Sequence, residues 1–181
     1  KLLYLVHRLP FPPNKGDKIS SNNMLNYFSG RWRVHLGTFV DDPDDWQYVN
    51  LVREKCEDSC IVELPRRKRL TGSLFGLLTG KALSLSYYDN AQLQAWVRDS
   101  IARECPDAVL VFSGVMGRFV KDLLPAHVPV VFDAEDVDSE KWRSYAQAKR
   151  WPISWLYRRE AKKLLAYERE MASSTHVSIF V

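Results

Sequence analysis

An α/β domain built on a mainly parallel sheet is predicted by two observations. Short apolar runs rich in β-branched residues alternate with longer stretches of helical spacing from one end of the 181-residue chain to the other. Several of these short runs are apolar at consecutive positions, as strands covered on both faces are. Strand-helix alternation implies right-handed crossovers between parallel neighbours, with helices on both faces of the sheet. The predicted architecture is therefore Rossmann-like.

Six runs read as strands: Leu2 to Val6, Val34 to Val40, Cys60 to Pro65, Ala108 to Phe112, Val128 to Asp133 and His176 to Val181. Between them, helical spacing predicts helices over Asp17 to Ser29, Pro43 to Glu57, Tyr87 to Glu104, Gly117 to Leu124, Asp138 to Lys149 and Ile153 to Ser173. In the last, Ile153, Tyr157, Ala161 and Leu164 recur at four, four and three, a stripe that packs on a sheet. No internal repeat or low-complexity linker interrupts the alternation.

The composition, 46% hydrophobic and 27% charged, excludes disorder as the main state, and the length suits one core, so 1–181 reads as a single domain. A net charge of +4 fits a protein near anionic phosphate or lipid and requires no nucleic acid, so no nucleic-acid partner is expected. The charge is segregated: cations cluster at Arg66 to Arg69 and Arg158 to Lys163, carboxylates at Asp41 to Asp45 and Asp133 to Glu140. Three cysteines without a CxxC pair argue for reduced thiols and a cytoplasmic setting. No run approaches the roughly 20 apolar residues of a membrane span, and no signal peptide opens the chain. Because Lys1 already begins a strand and "HVSIFV" closes the chain without a turn, a fragment of a longer protein is expected.

Ligands of open parallel sheets bind outside the carboxyl ends of the strands, where the strand order reverses. That rule selects the loops Arg8 to Asp17, Val40 to Asp45, Pro65 to Ser73, Ser113 to Arg118 and Ala134 to Glu140. The first, within "HRLPFPPNKGDKISSNN", lacks both GxGxxG and the P-loop pattern. It does place Gly16 just before a helix, where a phosphate can approach free N–H groups, with Lys15 and Lys18 adding charge. A proline-stiffened turn capped by Asp17 or Ser20 is the alternative. Five carboxylates within "DAEDVDSE" make Asp133, Asp136 and Asp138 candidates to bind a metal, orient hydroxyls or act as a base, although capping by Asp138 with Glu140 nearby explains part of the run.

Ser113 and Gly114 open a small-residue turn after the fourth strand, with phosphate or sugar contact as a second possibility beside a plain turn, and no GxSxG elbow is present. Of the four histidines only His7 stands at a strand's carboxyl end. No HxxxH or HExxH spacing points to zinc, and no metal or cofactor is expected. Pro65 to Tyr88 departs from the alternation. It couples "RRKR" to a glycine-broken apolar stretch in which Leu70, Leu74, Leu77 and Leu78 share a face, so it reads either as a short helix on the core or as a contact with an anionic membrane surface.

Taken together, "LVHRLPFPPNKGDKI", "RVHLGTFVDDPDDW", "LTGKALSLSYY" and "FDAEDVDSEKW", in this order, resemble the amino-terminal domain of bacterial family-4 glycosyltransferases of the GT-B fold. The likeness is greatest to the sugar transferases of exopolysaccharide and exosortase (PEP-CTERM) systems, and it spans essentially the whole chain. It implies a retaining, metal-independent enzyme at the inner face of the plasma membrane, with a nucleotide-sugar donor and a saccharide or lipid-linked acceptor. The donor would be held by a carboxyl-terminal domain outside this sequence. On these residues it implies a glycine loop of Lys15, Gly16, Asp17 and Lys18 reaching the donor phosphates, and acceptor-side residues among Asp133, Asp136 and Asp138 beside Ser113. Where the family tends to carry arginine after "GDKI", this chain has Ser20, which removes one phosphate-directed cation. A GT-B nucleotide-sugar epimerase and a non-catalytic scaffold remain the alternatives.

Overall fold

The computed structural model of the chain describes residues 1–64, 80–123, 125 and 127–180. Six strands form one sheet: β1 (Leu2–Val6), β2 (Val34–Val40), β3 (Asp58–Glu63), β4 (Ala108–Phe112), β5 (Val130–Asp133) and β6 (Val177–Ile179). Their order is β3-β2-β1-β4-β5-β6 and every pairing is parallel. The order reverses between β1 and β4, so the crevice outside those two strands is where a ligand is expected.

Alternate residues of β1 face opposite ways, and both faces are covered. Leu3 and Leu5 join Leu93, Val97 and Met171 in one core, while Leu2, Tyr4 and Val6 join Leu25, Val49 and Val52 in the other. The helices bringing those partners are α1 (Gly16–Ser29), α2 (Val49–Arg53), α3 (Leu83–Tyr87), α4 (Ala91–Glu104), α5 (Asp138–Gln147) and α6 (Ile153–Ser174). The fold is thus α/β with helices on both faces, as the apolar runs require.

Several boundaries differ from the periodicity. The Pro43 to Glu57 stretch divides into a 3₁₀ turn, Pro43–Tyr48, and the short α2, because Asp42 accepts from the Asp44 N–H and starts the tighter turn. The helix expected from Tyr87 begins at Ala91, where the Asn90 side chain accepts from the Leu93 N–H at 2.9 Å, and Leu83–Tyr87 is a separate helix. In place of the helix expected over Gly117 to Leu124, the described residues form a 3₁₀ turn over Gly114–Phe119, and Leu124 lies outside the described residues. β5 starts two residues late because Pro129 has no N–H and Val128 donates to Pro125 instead.

Two interactions inside this frame position the crevice. Lys18 of α1 is 1% exposed and forms a buried ion pair with Asp45 of the 3₁₀ turn, which ties α1 to the loop after β2. On α6, Glu160 and Glu168 are both buried, eight residues apart and so on one face. Glu160 accepts from the Leu83 and Ser84 N–H groups, each at 2.7 Å, and Glu168 accepts from the Ser139 N–H at 2.9 Å and from its hydroxyl. One helix thereby caps the amino ends of α3 and α5. Asp138 does not cap α5, whose N-cap residue is Val137 and lacks a side-chain bond.

Glu168→Ala strands the buried Ser139 donors. It is expected to cost about 2 kcal/mol, or about 4–8 °C in Tm by thermal denaturation, with Glu168→Gln losing less because it keeps an acceptor.

Close approach of α6 to the loop after β4 depends on Gly117. A Cβ there would meet Met171 Cε at 2.6 Å and Tyr167 Oη at 2.8 Å. Tyr167 also donates to the Gly114 carbonyl at 3.0 Å, which fixes α6 at the level of the sheet's carboxyl edge.

Candidate functional site

A cleft of about 780 Å³ opens over the carboxyl ends of β1, β4 and β5, at the reversal of strand order. Of the residues singled out in the sequence, His7, Lys15, Gly16, Asp17, Ser113, Asp136 and Asp138 line it. Three others lie behind the wall. Lys18, expected at the phosphates, is committed to Asp45, since one further step of about 100° around α1 turns it from the cleft into the domain. Asp133 is buried, and its carboxylate accepts from the Glu135 N–H at 3.0 Å, shaping the turn that presents Glu135. Gly114 is buried, its carbonyl held by Tyr167.

At the amino end of α1 the N-cap residue is Lys15, extended and without a side-chain bond; neither Asp17 nor Ser20 caps the helix. Gly16 has no left-handed backbone angle, and a Cβ built on it meets nothing within 4 Å. The fold itself therefore does not demand glycine at this position. What a side chain there would occupy is cleft space directly in front of the first-turn N–H groups.

Asp17 is strongly perturbed by the charged groups around it. Its carboxylate accepts from His7 Nε2 at 3.3 Å and from Arg8 Nη1 at 2.8 Å, and these donors hold it well below the usual carboxylate range against the opposing effect of burial. Arg8 also reaches Asp41 at 3.0 Å, so its charge is shared between two carboxylates. His7 is nearly buried, stacks on Phe112 with Tyr88 at its edge, and keeps a buried Nδ1 without a hydrogen-bond partner among the described residues.

Across the cleft, Glu135 is a residue that sequence reasoning passed over between Asp133 and Asp136. Burial, reinforced by Asp17, Asp136 and Asp133, pushes its carboxyl up to about 7. Asp138 is raised too, mainly by burial and further by Asp136, with Lys141 and His7 pulling the other way. Glu135 and Ser113 both hold left-handed angles, φ 63° and 77°, which non-glycine residues rarely adopt and which concentrate at functional sites.

A raised folded-state value means that protonated Glu135 favours the fold below the ordinary glutamate range. That contribution is lost as pH rises through about 7. Glu135→Gln is therefore expected to melt above the wild type at pH 8, with the difference gone by pH 4, as followed by circular dichroism.

Six carboxylates line the cleft, against the cations Arg8, Lys15 and Lys141. Arg8 is paired, and Lys141 stands 3.7 Å from Asp138, which leaves Lys15 as the lining cation without an ion pair among the described residues. Tyr87, Tyr88 and Trp142 add aromatic walls. This combination suits a neutral, hydroxyl-rich ligand held by hydrogen bonds to acceptors, with only one edge, at Lys15 and Gly16, suited to an anion.

Arg8 was findable by the same positional rule as His7. Tyr87 and Tyr88 were not, because α3 is ordered by Glu160 from more than seventy residues away. Most of the basic, apolar segment that precedes them lies outside the described residues; its described end, from Ala82, packs Leu85, Tyr87 and Tyr88 against the core. No helix among the described residues is long and apolar enough to cross a membrane. The chain matches no protein-family model, no curated protein and no solved structure.

Proposed function

We propose that this domain is the acceptor-binding part of a glycosyltransferase that moves a sugar from a nucleotide-sugar to a saccharide or lipid-linked exopolysaccharide acceptor. The single observation that carries the reading is Gly16: a glycine unnecessary to the backbone, opening the uncapped start of α1 into a cleft otherwise lined with hydrogen-bond acceptors and aromatic rings. The four-motif resemblance gives that geometry its chemistry.

In this reading the first-turn N–H groups and Lys15 face the donor's diphosphate and stabilise the charge that develops on it as the glycosidic bond forms. The carboxylates of Asp136, Asp138 and Glu135 accept hydrogen bonds from acceptor hydroxyls and orient the attacking one. Asp133 acts at one remove, through the turn it holds. The acidic lining disfavours a diphosphate lodged wholly on this side, so the donor nucleotide belongs to a second domain across the cleft. The enzyme would work at the cytoplasmic face of the plasma membrane.

The test is sugar transfer by the full-length protein over a panel of nucleotide-sugars and saccharide or polyprenyl-linked acceptors. Asp136→Asn is expected to lower kcat/KM by about 10²-fold through misplacement of the acceptor, with the fold intact. Turnover of the nucleotide-sugar to an epimer without acceptor would reassign the enzyme, and no turnover of any donor would reduce the domain to a binding module.

A further inference from the structure

We propose that the tip of the α5–α6 hairpin docks onto an anionic lipid bilayer, an inference that goes beyond the transfer reaction and does not depend on it. The tip carries Trp151, Ile153 and Trp155 at 80%, 47% and 55% exposure, and Trp151 is the most exposed large apolar side chain of the described residues. Aromatic side chains placed so belong at a membrane-water boundary, where an apolar ring and a polar N–H are both satisfied.

Charge around the tip is mostly positive. Between Lys141 and Lys163 the sequence holds eight Lys and Arg against one carboxylate, Glu160, which is buried and caps α3. Lys149, Arg150, Arg158 and Lys162 are exposed and make no ion pair among the described residues. Trp155, Arg158 and Lys162 recur at three and four along α6, so the ring and the cations share a face. Beside that face a groove of about 400 Å³ runs between the two helices, lined by Ala146, Ala161 and Leu165 together with Arg158 and Lys162, while its third cation, Arg143, is paired with Glu140 at 2.5 Å. Arg158 and Lys162, the two cations of that groove without an ion pair among the described residues, are placed to meet a lipid phosphate beside its apolar residues.

Position favours a bilayer over a protein. Tyr167 meets Gly114 at the sheet's carboxyl edge, so the part of α6 before it, about 20 Å of helix, stands beyond the sheet. The exposed apolar side chains at the tip stand beside exposed cations that make no ion pair among the described residues, the combination that an anionic bilayer surface satisfies. Because Asp138, Lys141 and Trp142 of α5 line the cleft, docking at the tip places the cleft mouth about 10 Å from the lipid surface.

The experiment is co-sedimentation of the full-length protein with vesicles of phosphatidylglycerol and phosphatidylcholine, and with phosphatidylcholine alone. We expect at least tenfold stronger partitioning onto the anionic vesicles, falling as salt rises from 0.1 to about 0.5 M. Trp151→Ala/Trp155→Ala is expected to weaken it about tenfold or more, and Arg158→Glu/Lys162→Glu to abolish the anionic preference, both with unchanged thermal melts. Absence of binding to either vesicle would overturn the proposal. So would wild-type binding in both variants, which would assign the contact elsewhere in the chain. Self-association in lipid-free solution that these variants abolish would give the surface to a second copy, and equal binding to a soluble polyanion without dependence on the tryptophans would give it to charge alone.

Discussion

Asp45→Ala is expected to remove about 3–5 kcal/mol of folding stability, a large part of the 5–15 kcal/mol typical of a domain. The reason lies in the partner left behind. Lys18 is 1% exposed on the inner side of α1, and without Asp45 its ammonium has no opposite charge among the described residues. Water cannot replace the lost carboxylate without opening the contact between α1 and the Pro43–Tyr48 turn. In urea the midpoint should fall with an unchanged slope, which identifies lost stability rather than an altered unfolded state.

The double variant Lys18→Met/Asp45→Leu separates the pair's worth from the penalty of breaking it. Removing both charges and filling the space with apolar atoms is expected to recover most of the loss. A cost below about 1 kcal/mol for Asp45→Ala would show that the pair is hydrated rather than buried. Since the 3₁₀ turn follows β2 beside Asp41 and Asp42, loosening it also frees one rim of the cleft.

Gly16→Val is expected to have the opposite profile, with transfer by the full-length protein falling about 10²- to 10³-fold while stability stays within about 0.5 kcal/mol of wild type. Stability is spared because the backbone angle at Gly16 is open to any residue and a Cβ there touches nothing. Activity is lost because the valine methyls occupy the space in front of the α1 N–H groups, where the donor phosphate would sit. Gly16→Ala should fall between the two. Full transfer by the valine variant would take the loop out of the donor's path, and a large drop in Tm would mean that the glycine serves the fold.

The strands, their parallel pairing and the helices on both faces were legible because burial on two faces writes consecutive apolar residues into the sequence, and burial on one writes a helical stripe. Loop candidates followed from topology alone, which is why His7, Gly16, Ser113 and Asp136 meet in one cleft. Direction around a helix was less legible. Lys15 and Lys18 look alike in sequence, yet one opens to the cleft and the other is buried with Asp45. Glu135 could not be distinguished from its acidic neighbours, since its environment depends on a left-handed backbone and on Asp17 more than a hundred residues away. Nor does local pattern reveal that Glu160 and Glu168, which lie outside the stripe of Ile153, Tyr157, Ala161 and Leu164, are turned inward onto other helices.

Those two glutamates make α6 a common hinge pin for the cleft. The helix that carries Tyr87 and the helix that carries Asp138, Lys141 and Trp142 each hang by their first turn from the same rod. A shift or roll of α6 therefore carries the Tyr87 side of the cleft and the side of Asp138 and Trp142 together, past the rim of Lys15 and Asp17 at the start of α1.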